Sequence, residues 1–336
     1  MSAPARPASG LAQLDALLGA GGARLTRGLT RTEARLAEIA ASHGAELGRH
    51  SADTLSAGGK RLRPLIVFLC AGQAVGENTV RAAVAVELVH MATLVHDDVL
   101  DRAPLRRGRD TVFKSAGRDA ATFTGDFLFS RAFAELAASG NPSAVKTLSD
   151  ASSALAHGEL MQRADAWSAD VTRERYIARC TLKTAHLFEA ACRLGAAFGP
   201  AANGLPGAVE CLGAFGEKIG VAFQIFDDVL DVSGPPERTG KHRGTDLLDG
   251  TITLPLIIAR ERDPQIRELN LRNVTTPAEA DTLCDKIADT GALTDAKEEA
   301  LRYVCQAKAA LDEIDLPPKQ RRALELVADG VVERYA

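Results

Sequence analysis

Apolar residues recur along this chain at steps of three and four. From Leu205 they fall at Val209, Leu212, Phe215, Ile219, Phe223, Phe226 and Leu230, and from Val80 at Val84, Leu88, Met91, Val95 and Val99. That spacing keeps side chains on one face of a helix. No stretch alternates apolar and polar residues convincingly enough to predict a strand. The pattern predicts helices over 8–19, 26–47, 61–75, 79–101, 119–138, 143–166, 173–197, 206–232, 253–261, 277–290, 295–312 and 318–334. Pro142, Pro200, Pro206, Pro264, Pro277 and Pro317 punctuate them, as expected of a residue that stops or starts helices. No Ser/Gly linker divides the chain. The expectation is all-α: a flexible segment over 1–20, then one bundle of about 12 helices over 21–336 around a central apolar cavity.

Composition narrows the function. Of 336 residues, 46% are hydrophobic and only 4% aromatic, which supplies a large core and favours helix over sandwich or barrel. Lys plus Arg number 40 against 44 Asp plus Glu, too few for a general nucleic-acid binder. The six cysteines, Cys70, Cys180, Cys192, Cys211, Cys284 and Cys305, form no C-x-x-C pair and read as small buried hydrophobes of a reduced, cytoplasmic protein. No apolar run is long enough for a membrane span, and MSAPARPASG has no apolar leader core.

Two connections are long for such a bundle. Residues 102–118 carry six Lys or Arg against one Asp, and residues 233–251 are polar and rich in Gly. Each follows the same pentapeptide, DDVLD, at Asp97–Asp101 and at Asp227–Asp231. Asp97 and Asp101 share a helix face, as do Asp227 and Asp231. Like charges at i,i+4 repel, and carboxylates at a helix C-terminus oppose the macrodipole. A cation relieves both, and Mg²⁺, an oxygen-seeking ion often held by carboxylates plus substrate phosphates, fits. A lone DDxxD reads as a solvated helix end; two copies, each among apolar residues and each followed by cations, favour a metal. Upstream, Gly58–Pro64 reads GGKRLRP, and Arg102, Arg106, Arg107, Arg109 and Lys241 follow the aspartates. Arg and Lys are the direct phosphate ligands among side chains, so acids beside bases imply a diphosphate-type substrate. The P-loop pattern is absent.

These residues resemble the trans-polyprenyl diphosphate synthases over roughly 25–335. The matching stretches are GGKRLRP, HMATLVHDDVLD (90–101), LRRG (105–108), TGDFLFSRAF (124–133), KTAHLFEAA (183–191), FQIFDDVLDVSG (223–234), GKHRGTDL (240–247) and TLPL (253–256). The resemblance implies an isoprenoid synthase-type bundle and a homodimer. It implies isopentenyl diphosphate held by Lys60, Arg63, His90 and Arg107, and an allylic diphosphate contacted by Arg106, Lys183 and Lys241. Asp97, Asp101 and Asp227 are implied ligands of Mg²⁺, about three ions per site with Mn²⁺ as a substitute, supported by Asp98, Asp228 and Asp231. Thr184 and Gln224 are the implied oxygens facing an allylic cation. One departure stands out: Thr251 occupies a place where the family commonly carries a second lysine, which questions a full three-lysine clamp on the leaving diphosphate.

The helix before Asp97 predicts product length. Thr93 and Ala92 are small, and Val89, Leu88, Ala85 and Val84 are aliphatic, so no aromatic plug stops a tail growing down the helix at about 5.4 Å per turn. Like the HMATLVHDDVLD stretch, this resembles the long-chain, octaprenyl-type branch that supplies quinone tails. A shorter-chain synthase of the geranylgeranyl or farnesyl type is the alternative, then a non-catalytic subunit of a heteromeric synthase. A class I terpene cyclase does not need a second DDVLD or GGKRLRP. Transient membrane contact is expected for release of a long product.

Overall fold

In the computed structural model, residues 10–56, 61–72, 75–106, 108–199, 205–234 and 242–333 are described. Along them run α1 (Gly10–Ala41), α2 (Ala45–Ser56), α3 (Leu62–Cys70), α4 (Glu77–Leu100), α5 (Val112–Ala137), α6 (Pro142–Asp165), α7 (Arg173–Cys180), α8 (His186–Phe198) and α9 (Ala208–Ser233). There follow α10 (Thr245–Leu248), α11 (Leu254–Arg262), α12 (Pro264–Glu268), α13 (Pro277–Asp289), α14 (Ala292–Ala310) and α15 (Pro318–Glu333). The chain is all-α, as its apolar period predicts.

The core is built round α4 and α9. Val84, Ala85, Val86, Leu88, Val89 and Ala92 of α4 have no exposed surface, because α1, α2, α3, α5 and α8 all pack against this helix. Fully burying a Leu or Val contributes about 1.5–3 kcal/mol, so two such helices anchor the bundle. Each aspartate segment lies at the outer end of one of them.

Four departures from the predicted elements bear on the site. The helices expected at 8–19 and 26–47 run together as α1 as far as Ala41, since Gly21 and Gly22 lower helix propensity without breaking it, and residues 45–47 open α2 instead. The loop 102–118 contains a short antiparallel pair, Leu105–Arg106 with Arg109–Asp110, and the helix expected from 119 begins at Val112, capped by Thr111 and kinked at Gly117 (φ 89°). The helix expected over 61–75 ends at Cys70, with Gly72 at φ +66° behind it. The helix expected over 173–197 is interrupted by a π turn, Thr181–Ala185, between α7 and α8. Two glycines make room for that turn. A Cβ at Gly158 of α6 would come 2.4 Å from the Lys183 backbone nitrogen, and one at Gly220 of α9 2.5 Å from the Ala185 Cα. Four cysteines are buried as expected, but Cys211 is half-buried and Cys305 exposed; all six are free thiols. Among the described residues, no helix is long and apolar enough to cross a membrane.

Candidate active site

The first aspartate segment closes α4. Asp97, Asp98 and Leu100 complete its last turn, and Asp101 caps it, donating its N–H to the Asp97 carbonyl at 2.8 Å. Arg102 turns the chain in the left-handed region (φ 49°). The short hairpin then brings Arg106 Nε back to Asp98 Oδ1 at 2.7 Å. Asp101 Oδ1 accepts from Arg163 Nη2 at 2.6 Å. A chain of alternating charge continues from there: Arg163 Nε donates to Glu159 Oε1 at 2.8 Å, and Glu159 Oε2 lies 2.5 Å from Lys183 Nζ. Arg163 and Glu159 sit four apart on α6, while Lys183 projects from the π turn.

Asp97 faces this cluster. Burial pushes its carboxyl up to about 6, and the nearby Lys183 charge pulls the other way. Burial works against the Lys183 ammonium too, but Asp97 and Glu159 outweigh it and raise its pKa. Glu159, likewise penalised by burial, is held below its ordinary value by Lys183 and Arg163.

The second segment closes α9 in a different setting. Asp228 is buried and accepts two neutral donors, the Tyr176 hydroxyl at 2.6 Å and the Gln224 amide Nε2 at 2.8 Å. Gln224 Oε1 in turn accepts from the Thr184 hydroxyl at 2.7 Å. Burial and the negative charge of Asp246 push Asp228 up, against these donors. Asp231 Oδ2 accepts the Asp246 backbone N–H at 3.2 Å, and its carbonyl accepts from Gly244 N at 2.8 Å. These bonds fold the segment after residue 242 back onto α9. Between the π turn, α9 and that segment lies a cavity of about 110 Å³, walled in part by Lys183, Thr184, Gln224, Asp228 and Asp246. Lys183, Thr184, Gln224 and the aspartates, far apart in sequence, thus gather round one turn.

The structure divides the remaining predicted residues. Arg63 is half-buried in the first turn of α3, its guanidinium 4.4 Å over the Phe188 ring. Burial lowers its pKa to about 10, while the charges of Glu87 and Asp227 oppose the shift. Its neighbour Arg61, at φ 45°, pairs with Glu33 at 2.5 Å and Glu87 at 2.7 Å and clamps the start of α3. Lys60, Arg107 and Lys241 lie outside the described residues. On α4, His90 and Thr93 are half-buried on the stripe beneath Asp97, and the Thr93 hydroxyl donates to the His90 carbonyl at 2.7 Å. Ala92 and Val89 have no exposed surface. His96 packs between α4 and α5, its Nε2 3.2 Å from the Thr122 carbonyl and its ring 5.7 Å from that of Phe129.

Glu159, Arg163, Tyr176 and Asp246 escape the sequence reading. The signal available was slight: Glu159 follows a glycine inside a helix, and Asp246 belongs to GKHRGTDL. Their partnership exists only because α6 packs against the π turn, and α7 and α10 against α9.

The donor set suits a hard divalent cation: carboxylates only, one of them held up near 6 by burial in a place where a cation would relieve it. Among the described residues, no three His, Cys, Asp or Glu side chains converge on one point. Paired carboxylates fit an ion that completes its shell with substrate oxygens.

Comparison with known proteins agrees. The sequence model described as polyprenyl synthetase matches residues 45–290. The chain is 38% identical over 304 residues to heptaprenyl diphosphate synthase component 2 of Geobacillus stearothermophilus, covering 89% of this chain and 93% of the relative. It is 35% identical over 297 residues to geranylgeranyl diphosphate synthase of Methanosarcina mazei, covering 86% and 90%. The crystal structure of polyprenyl synthase from Caulobacter crescentus CB15, complexed with calcium and isoprenyl diphosphate, superposes with a TM-score of 0.87 at 33% identity, over 99% of this chain and all of that one.

Proposed function

Because the chain belongs to the polyprenyl synthetase family, we propose that it is a trans-prenyltransferase that condenses an allylic diphosphate repeatedly with isopentenyl diphosphate, making a long-chain all-trans polyprenyl diphosphate. The observation that carries this reading is the π turn, which points Lys183 at Asp97 and joins Thr184, through Gln224, to Asp228. Both aspartate segments are thereby tied to one cation and one hydroxyl.

Asp97, Asp101 and Asp227 would hold Mg²⁺, about three ions for which Mn²⁺ would substitute, and such ions would supply positive charge to a leaving diphosphate. Lys183, with Arg106 and Lys241, binds the allylic diphosphate and takes up negative charge as its C–O bond breaks. Lys60, Arg63, His90 and Arg107 hold isopentenyl diphosphate so that its alkene meets the allylic carbon without a chance encounter. Asp228 and Asp231 hold this end of α9 in place, and Asp98 anchors Arg106. The ordered Thr184–Gln224 pair turns oxygen toward the cationic carbon. The alkene attacks, a proton passes to the departing diphosphate, and an allylic product one unit longer remains. The apolar walls of α4 and α9 exclude water that would quench the cation.

The long-chain reading rests on Thr93, Ala92 and Val89, none of which is aromatic, and on the heptaprenyl relative. The geranylgeranyl relative and the closed packing at Val89 favour the second reading, a shorter product. We read the protein as a cytoplasmic homodimer that touches membrane only to release product. The test is incubation of purified protein with Mg²⁺, an allylic diphosphate and [¹⁴C]isopentenyl diphosphate, followed by chromatography. Long labelled chains support the reading, short chains the second one. A cyclised hydrocarbon, or no turnover without an added subunit, would overturn both.

A further inference from the structure

The cavity between the π turn and the segment after residue 242 is lined by Arg179 and Thr251 as well as by Lys183 and Asp228. Arg179 is among the few charged side chains shut inside this protein, with 3% of its surface exposed. A buried charge needs partners, and those of Arg179 leave it incompletely used. Its Nη2 donates to the Ile252 carbonyl. Its Nη1 makes no hydrogen bond and lies 3.6 Å from Asp165 Oδ2. Asp165 is itself answered by Arg175 Nε at 2.6 Å. The Arg179 charge is therefore shared rather than cancelled, and its field reaches Asp228 across the cavity.

Holding the 250–253 segment is not a sufficient role for this guanidinium. That segment has other anchors: Thr251 N donates to the Asp246 carbonyl at 2.8 Å, and Trp167 N to the Gly250 carbonyl at 2.8 Å. Thr251 brings no charge to its side of the cavity. Arg179, entering from the last turn of α7, does.

We propose that Arg179 is a diphosphate-binding residue of this site, whose guanidinium supplies, beside Lys183, the positive charge that Thr251 does not. This rests on the prenyltransferase reading and deepens it: Arg179 takes the allylic diphosphate, not the isopentenyl one, because it shares its cavity with Lys183 and lies among α7, the π turn and α9. A guanidinium fork presents two donors to phosphate oxygens where an ammonium presents a point charge. Its Nη1 lies 3.6 Å from Asp165 without a hydrogen bond, so that nitrogen is only loosely held by the carboxylate.

The experiment compares the full-length native chain with Arg179→Gln, Thr251→Lys and the double variant Arg179→Gln/Thr251→Lys. Two quantities are read: the stabilisation against heat by inorganic diphosphate with Mg²⁺, and KM for each substrate. Arg179→Gln should raise the diphosphate concentration for half-maximal stabilisation, and KM for the allylic substrate, by about tenfold, the loss of one charge-assisted bond. KM for isopentenyl diphosphate should stay within about twofold of native. Adding Thr251→Lys to Arg179→Gln should recover most of the lost affinity, since a cation returns to the same cavity. A lower melting temperature with unchanged diphosphate affinity, or an affinity loss that Thr251→Lys does not relieve, overturns the proposal and leaves Arg179 as a clamp on Ile252. So does failure of both Arg179 variants to fold while Thr251→Lys folds. If the native chain condenses both substrates, any of these outcomes removes only Arg179 from the site. If the native chain neither turns over nor responds to inorganic diphosphate with Mg²⁺, the prenyltransferase reading itself fails.

Discussion

At the end of α4, Asp98 is answered by the Arg106 guanidinium and Asp101 by that of Arg163. At the end of α9, Asp228 and Asp231 hold the same places in the same pentapeptide. There they are answered by the Tyr176 hydroxyl, the Gln224 amide and a backbone N–H. The difference is between cancelling charge and orienting it. A cationic partner neutralises a carboxylate and can be exchanged for another cation. A neutral donor fixes the oxygen's direction and leaves its charge in place. In the first segment Asp98 and Asp101 thus carry cationic partners before any metal arrives, and an ion binding Asp101 would compete with Arg163 for its Oδ1. The second is pre-set, at the cost of a carboxyl at Asp228 that burial pushes up to about 7.

The space beneath the two segments differs as well. Below Asp97, Thr93 and His90 are half-buried down two turns of α4 before the face shuts at Val89 and Val86. Below Asp227, Phe223 packs with its ring 5.4 Å from that of Phe188. Beneath Asp97 a growing tail would meet no Phe, Tyr or Trp along α4, whereas beneath Asp227 it would meet Phe223.

The largest expected effect comes from removing either segment's leading carboxylate. Asp97→Ala and Asp227→Ala should each lower kcat by on the order of 10³-fold in steady-state assays. Near-native turnover by one of them would mean that a single segment suffices. Next comes product length. Thr93 lies only about 40° round the helix from Asp97, whereas Ala92 lies about 140° away in closed packing. Thr93→Tyr should therefore shorten the product sharply while the first condensation survives. Ala92→Phe should shorten it less and lower the melting temperature more, since overpacking a core costs about 1–3 kcal/mol. Identical product profiles from folded variants would send the tail elsewhere.

A smaller effect separates ionic from neutral support. Glu159→Gln interrupts the chain from Asp101 to Lys183, and should shift the Mg²⁺ concentration for half-maximal activity by about threefold to tenfold. Tyr176→Phe should leave that concentration unchanged and reduce stability by about 1–3 kcal/mol, the cost of a buried acceptor losing a donor. The reverse pattern would break the comparison.

The smallest effect is in pH. Asp97 binds its proton more tightly folded, at about 6, than its ordinary value of 3.8. Its contribution to stability is present below about 4 and is lost as pH rises through about 6. Melting temperatures of the metal-free protein should fall across that window, and the stabilisation given by Mg²⁺ should grow. Asp97→Asn should flatten both trends, and a native slope in that variant would assign them to another group.

Much of this protein was legible without coordinates. The three-and-four spacing of apolar residues dictates helices, since a buried stripe can recur with that period only on a 3.6-residue turn. Paired carboxylates at i,i+4 announce a cation, because their repulsion is local and needs no tertiary context. Period alone did not reveal the π turn, because the extra residue is admitted by Gly158 and Gly220 on two other helices. Nor did it reveal Glu159, Arg163, Tyr176 or Arg179, which are ordinary helix residues until packing sets them against the aspartates. The chain by itself decided which segments are helical and where negative charge accumulates, both being matters of near neighbours. Only the tertiary structure decided that Asp98 and Asp101 are met by guanidiniums and Asp228 by a hydroxyl and an amide. Those partners lie between 4 and 62 residues away, and which of them reaches a given carboxylate depends on how whole helices pack.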